Sequence, residues 1–221
     1  MAERPILFSG PMVQAILAGR KTVTRRVLKP QPEQSDIIAA WRWYGRTFAG
    51  GWSLTGTPPA AMLKDCPYGQ PGDQLWLRET WALEDCGADG ERVVYRADRA
   101  AAWRATLGDF HYLSSDYEPG RWRPSIHMPR WASRLMLNVV SIRAERLHAI
   151  TEEDARAEGV EPDAKYPSRW KNYLGDVSVP DAVDSFMTLW MSINGIESWD
   201  ANPWVWRVEF RRDQSPDGGA R

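Results

Sequence analysis

The sequence has little that identifies its chemistry at sight. Two cysteines, Cys66 and Cys86, are too few for a disulfide framework and too far apart for a paired metal motif. That scarcity points to reduced thiols in an intracellular chain. The three histidines, His111, His127 and His148, share no helical or hairpin spacing, so no metal site is expected. No apolar stretch approaches the roughly 20 residues that a bilayer crossing needs, and no apolar segment follows a basic N-terminus. The expectation is a cytoplasmic protein without a membrane partner. Gly-rich dinucleotide and phosphate loops, a nucleophile elbow and an HExxH helix are all missing, and no cofactor is expected. Net charge is also missing: 28 Lys+Arg against 29 Asp+Glu give a formal charge of -1. A globally basic nucleic-acid binder is therefore not indicated.

What the chain does have is uneven charge and much tryptophan. Residues 1–30 hold six Lys/Arg against one Glu, and residues 121–146 hold six Arg against one Glu. Residues 151–163 reverse the balance, with six acids against one Arg. Two basic segments converging on one anionic ligand fit this pattern, and so does a solvated surface of mixed sign. The 13 tryptophans occur in runs such as WRWYGR, GRWRPSIHMPRW and DANPWVWRVEF. They suit core packing, or stacking faces for a flat heterocycle or an unpaired base.

Periodicity and punctuation give an α+β chain. Ser9-Gly10-Pro11 opens a short helix carrying Met12, Val13, Ile16 and Leu17, and Gly19 ends it. Residues 21–28 read as extended. From about 29 to 66 the pattern dissolves into a loop or insertion. Leu75-Trp76-Leu77 reads as a buried strand continuing through Arg78, Glu79, Thr80 and Trp81. Residues 83–122 form a second irregular region with one short strand around Val93-Val94-Tyr95. Arg134 to Arg146 alternates as a strand, Thr151-Glu152-Glu153-Asp154 starts a helix running to Gly159, and Phe186 to Ile193 forms another, closed by Asn194-Gly195. Trp204 to Arg211 alternates again, and residues 213–221 read as a disordered tail. With no repeat and no clean linker, the expectation is a single domain over 1–212, built on a small mixed sheet or barrel.

The chemistry-bearing residues are Lys21, Thr24 and Glu158. A buried lysine among other cations loses proton affinity and becomes a base, and Arg20, Arg25 and Arg26 are those cations. A threonine hydroxyl becomes a nucleophile when such a base takes its proton. In a straight strand Lys21 and Thr24 would face opposite ways, so the chain must bend near residues 21–22. Glu158 falls in the last turn of its helix, where the macrodipole disfavours a negative charge, which suggests an outside partner such as Lys21. By spacing alone, surface charges are the commoner explanation of the same residues.

The segments PILFSGPMVQAILAGRKTVTRR, PYGQPGDQLWLRETWA, WRPSIHMPRWASRL, ITEEDARAEGV and SWDANPWVWRVEF resemble the ASCH domain, in particular the long form common in phages and prophages. The resemblance covers both ends and most of the chain between, missing chiefly residues 31–62 and 84–118. GRKTVTRR and PGDQLW are its most specific parts. It implies a PUA-like fold, a small mixed β-barrel with flanking helices, here with two irregular insertions and a cleft for nucleotides or RNA. A short bacterial member removes acetyl from N4-acetylcytidine. The resemblance implies that activity here, with Lys21, Thr24 and Glu158 catalytic. Its expected partners are a modified cytosine nucleoside and RNA. Arg20, Arg26, Trp76, Arg78, Glu79, Trp81, Arg130 and Arg134 are candidates for holding the substrate. The chain departs from that short enzyme in length and in its Trp-rich insertions, which bear on the substrate more than on the reaction. Two other readings stay open: a non-catalytic module binding RNA or a modified base, with Lys21, Arg25 and Arg26 on phosphates, and a ribonuclease.

Overall fold

The computed structural model of the protein describes residues 1–34, 40–49, 60–86, 90–98 and 121–213. In chain order the first elements are β1 (Glu3–Leu7), α1 (Gly10–Leu17), β2 (Val23–Val27), β3 (Glu33–Gln34), β4 (Ala40–Trp43), β5 (Arg46–Ala49) and α2 (Ala60–Leu63). They are followed by β6 (Gln74–Arg78), β7 (Trp81–Asp85), β8 (Glu91–Tyr95), β9 (Met136–Arg146), α3 (Glu152–Ala157), α4 (Ala182–Asn194) and β10 (Trp204–Arg212). The chain is a mixed α+β protein, and among the described residues no sheet closes into a barrel. It forms two compact units, residues 1–19, 74–138 and 212–221 in the first and residues 20–73 and 139–211 in the second.

In the first unit β1 pairs parallel with β6, and β6 pairs antiparallel with the start of β9. Helix α1 buries Val13, Ala15 and Ile16, with proline in its first turn and Gly19 at φ 73 just past its end. The strand expected to run on from β6 to Trp81 instead breaks at Glu79. The hydrogen-bond partners change there: Phe8 N donates to Arg78 O at 3.1 Å, whereas Trp81 exchanges bonds with Arg123 at 3.2 and 2.8 Å. Strand β7 then pairs antiparallel with β8, so residues 83–85, expected to be irregular, are strand. Trp81, Met128 and Ala132 form a core here, with Leu83, Val93 and Tyr95 packed against it. Residues 99–118 of the expected second insertion lie outside the described residues.

In the second unit β9 continues beside β10, and β10 pairs antiparallel with β2 in the register Trp206↔Arg26, Arg207↔Arg25, Val208↔Thr24. The segment expected to be a loop over 29–66 carries a three-stranded antiparallel sheet, β3-β4-β5. Its hairpin turns on Tyr44 and Gly45, both at positive φ (51 and 70), as a tight two-residue turn requires. Tyrosine is an unusual choice there, which hid the turn. The indoles of this sheet serve the core: Trp41 meets Trp204 edge-on at 5.2 Å, and Trp43 meets Trp206 at 5.5 Å.

Helix α4 is longer than its apolar pattern predicts, because Asp181 caps its start by accepting from Asp184 N at 2.8 Å. Gly195, at φ 96, follows its end. Phe186 and Trp190 of α4 pack with Leu147, Ile150, Ala155, Val160 and Val205. Residues 214–221, expected as a tail, lie outside the described residues.

Candidate active site

Helix α3 is only six residues long, so its ends decide whether it forms. Thr151 caps the N-terminus by accepting from Asp154 N, and Glu152, Glu153 and Asp154 place negative charge in the favoured first turn. Glu152 also accepts from Ala182 N and Val183 N, which ties α3 to the start of α4. Ala155 faces the core, and Asp154 and Glu158, four residues apart, share a face. Glu158 is the C-terminal capping residue, followed by Gly159 at φ 88.

The bend expected near residues 21–22 is not seen: the pairing with β10 runs on to Thr22, and Lys21 and Arg25, four residues apart on one strand face, both reach Glu158. Strand β2 begins at Val23, and Thr22 is held by two backbone bonds, its N–H to Ala157 O and its carbonyl from Phe210 N, each 2.9 Å. Lys21 is thereby delivered to the end of α3. Its Nζ donates to Glu158 Oε2 at 2.7 Å, to Glu158 O at 2.7 Å and to Val23 O at 2.9 Å. The Lys21 side chain has 0% of its surface exposed and that of Glu158 has 4%. The lysine therefore supplies the cation that the helix terminus lacks, and the misplaced acid has its partner.

Complete burial pulls the Lys21 ammonium below its ordinary proton affinity. The Glu158 charge and hydrogen bond oppose that pull, and Arg26 and Arg25 add to it. Three oxygens around three N–H groups still suit the ammonium form. Burial loosens the proton while the oxygens hold it in the resting state, with Glu158 Oε2 one hydrogen bond away.

A wider ion network surrounds this pair. Arg25, wholly buried, donates through Nη1 to Glu158 Oε1 (3.3 Å), through Nη2 to Asp154 Oδ2 (2.7 Å), and through Nε and Nη2 to Glu145 Oε1 (3.1 and 2.7 Å). Arg207 donates to Asp154 Oδ1 at 2.7 Å and to Glu209 Oε2 at 3.2 Å, and Ser141 Oγ also donates to Glu209. The β2–β10 register sets Arg25 directly against Arg207, a repulsive pairing by itself. Asp154 splits its two oxygens between them. Burial would raise the Asp154 carboxyl, yet the hydrogen bonds and charges of Arg207 and Arg25 hold it below its ordinary value.

The remaining expected residues of this unit do not join the pair. Thr24 is buried within β2, its alternation placing it on the strand face opposite Arg25, and no hydrogen bond of its hydroxyl occurs among the described residues. Arg20, half-exposed, donates to Gly159 O and Glu161 Oε1. Arg26 is half-buried opposite Trp206.

The other expected residues belong to the first unit. Glu79, 1% exposed, receives a two-pronged grip from Arg134, Nε to Oε1 at 2.9 Å and Nη2 to Oε2 at 3.2 Å. Arg134 also grips Asp98, and its guanidinium lies 3.9 Å from the centre of the Tyr95 ring. Burial raises the Glu79 carboxyl; the Arg134 hydrogen bonds and charge oppose it. Trp81 is 1% exposed, with Arg123 over its ring at 4.8 Å and the exposed Trp131 edge-on at 5.7 Å. Arg78 lies over Trp76 and donates to Ile126 O. Arg130 pairs with Glu3 at 2.8 Å on the surface.

Sequence reasoning missed Glu145, Asp154 and Arg207 as members of the network. The one available signal was Asp154 at i−4 from Glu158; Glu145 and Arg207 read as ordinary polar positions of alternating strands. Among the described residues no cluster of three or more His, Cys, Asp or Glu is arranged to hold a metal ion, and no helix is long and apolar enough to cross a membrane. Compared with protein-family models, with curated proteins and with solved structures, the chain has no match in any of the three.

Proposed function

We propose that the protein is an amidohydrolase that removes the acyl group from N4-acylated cytosine nucleosides or bases. The reading rests on the ASCH resemblance. The observation that carries it is the buried Lys21–Glu158 pair, an ammonium and a carboxylate joined by a 2.7 Å hydrogen bond. A PUA-like barrel is part of the same reading and rests on the resemblance alone.

The proton economy closes on itself. Transfer from Lys21 to Glu158 gives a neutral amine beside a carboxylic acid. The amine takes the proton of the nucleophile, water or the Thr24 hydroxyl, as it attacks the amide carbonyl. The C–N4 bond then breaks as Glu158 gives its proton to the departing cytosine amine. Lys21 and Glu158 return to ammonium and carboxylate. With water as nucleophile the products are the carboxylic acid and the cytosine amine; with Thr24 an acyl ester forms, and one water then releases it by the same route, its proton passing to Lys21 and that of Glu158 to the Thr24 oxygen. The Thr24 hydroxyl, unengaged among the described residues, serves as nucleophile or as donor to the substrate.

The binding-module reading used Lys21, Arg25 and Arg26 as phosphate contacts. The Lys21 and Arg25 side chains have no exposed surface and are joined to carboxylates, so of the three only the half-buried Arg26 suits that role.

The test is release of cytidine from N4-acetylcytidine by wild type, Lys21→Ala, Thr24→Ala and Glu158→Ala, each verified as folded. Turnover by wild type, lost in the Lys21 and Glu158 variants, is the expected result. Folded wild type that hydrolyses no N4-acyl cytosine overturns the proposal. RNA cleavage that depends on Lys21 would favour the ribonuclease instead.

A further inference from the structure

Arg25 has a stronger claim on this pair than its place in the sequence conveys. Its guanidinium spans three carboxylates contributed by different elements: Glu145 from β9, Asp154 from α3 and Glu158 from the end of that helix. The two short contacts, both 2.7 Å, are to Glu145 and Asp154, and the contact to Glu158 is 3.3 Å. Glu145 and Asp154 therefore anchor the guanidinium, and Glu158 feels it as a fixed charge at Oε1. That leaves Oε2 committed to Lys21. A guanidinium does not give up a proton in a protein, so Arg25 biases the pair without joining the transfer. The Phe186 ring flanks the group at 6.0 Å.

We propose that Arg25 is a positioning residue that fixes where the shared proton of Lys21 and Glu158 rests, with Glu145 setting how strongly it acts. The importance of that proton rests on the amidohydrolase reading, but its position is measurable without turnover. The charges around the pair are Arg25 and Arg26 from β2, Glu145 from β9, Asp154 from α3 and Arg207 and Glu209 from β10, with Arg20 and Glu161 flanking the helix end. Within this set Arg25 opposes the Lys21 ammonium, and Glu145, hydrogen-bonded to the guanidinium, tempers Arg25.

Opposite-sign variants follow. Replacing Arg25 by the neutral, hydrogen-bonding Gln removes a cation, so Lys21 holds its proton to higher pH. Glu145→Gln removes an anion and frees Arg25, so Lys21 releases its proton at lower pH. The measurement is a carbon-13 NMR titration of the Lys21 Cε in the full chain, with the resonance assigned by its loss in Lys21→Met. Midpoint shifts of about 1 pH unit, upward for Arg25→Gln and downward for Glu145→Gln, are expected. Where wild type turns over, the alkaline limb of its kcat profile moves the same way in each variant.

A role limited to holding the fold lowers the melting temperature of both variants and moves neither midpoint. That result, or shifts of one sign in both, overturns the proposal. If Arg25→Gln does not fold, the Glu145→Gln shift decides alone: downward upholds it, unmoved overturns it. Opposite shifts in a protein that hydrolyses no N4-acyl cytosine uphold the proton placement while the reaction assignment fails. Turnover with unmoved midpoints overturns the placement and leaves the reaction standing.

Discussion

The ammonium of Lys21 reaches Glu158 twice, once at the backbone carbonyl and once at the carboxylate, at 2.7 Å each. One side chain thus closes the C-terminus of α3 and neutralises the acid that ends it. The two tasks cannot be separated by a change at position 21, but they can be separated at position 158, where the carbonyl survives any substitution.

That difference predicts a coupling. Lys21→Met strands a buried carboxylate with Arg25 as its remaining cation, and should cost about 3–5 kcal/mol of stability. In Lys21→Met/Glu158→Gln the stranded charge is gone, so the double variant should be more stable than the sum of the two single losses. Urea unfolding of wild type, both singles and the double provides the cycle, and additive losses would show that the pair is not coupled.

Helix α3 should depend on its cap. Thr151→Ala removes the acceptor for Asp154 N and should cost about 1 kcal/mol. Because α3 presents both Asp154 and Glu158, turnover of N4-acetylcytidine should fall at temperatures well below the melting midpoint. Loss of activity only in step with global unfolding would show that the helix end is held independently of its start.

Acid titration should separate two carboxylates of opposite sense. Asp154 is held below its ordinary 3.8 in the folded chain, so the unfolded chain binds the proton first. Its stabilisation is complete above that value and is lost as pH falls through the folded one, so Asp154→Asn should flatten the acid side of the stability profile. Glu79 is raised above its ordinary 4.5, so its stabilisation is complete below that value and is lost as pH rises through the folded one. Glu79→Gln should therefore remove a decline on the other side. Urea midpoints measured from pH 3 to 7 read both slopes.

The two edge-on indoles of the first unit should differ in weight. Trp81→Ala empties a core position and should cost about 3–5 kcal/mol. Trp131, 62% exposed, contributes its edge-on contact and little else, so Trp131→Ala should cost about 1 kcal/mol or less. Thermal denaturation of the two variants makes the comparison, and equal losses would contradict the burial difference.

Much of this architecture is legible in the residues. Gly19, the Thr151 cap and the alternation of β9 and β10 each follow from local rules, and the poor placement of Glu158 on its helix pointed toward Lys21. The hairpin of β4 and β5 escaped because a Tyr-Gly turn does not look like one and because its strands are only four residues each. The ion network escaped for a different reason. Arg25 meets Arg207 only through a strand register set by residues nearly two hundred positions apart, and Asp154 becomes necessary only once that meeting is known. Local sequence carries no trace of such a debt.

The same register carries a consequence for how the sequence can drift. Arg25, Glu145, Asp154 and Arg207 come from three strands and a helix, yet each satisfies a charge that another would leave exposed to the low-polarity interior. A change at one of them is tolerable only alongside a compensating change at a second. In any set of related chains these four positions should vary as a block, exchanging together for apolar residues or staying ionic together, while Arg20 and Arg130 on the surface drift singly.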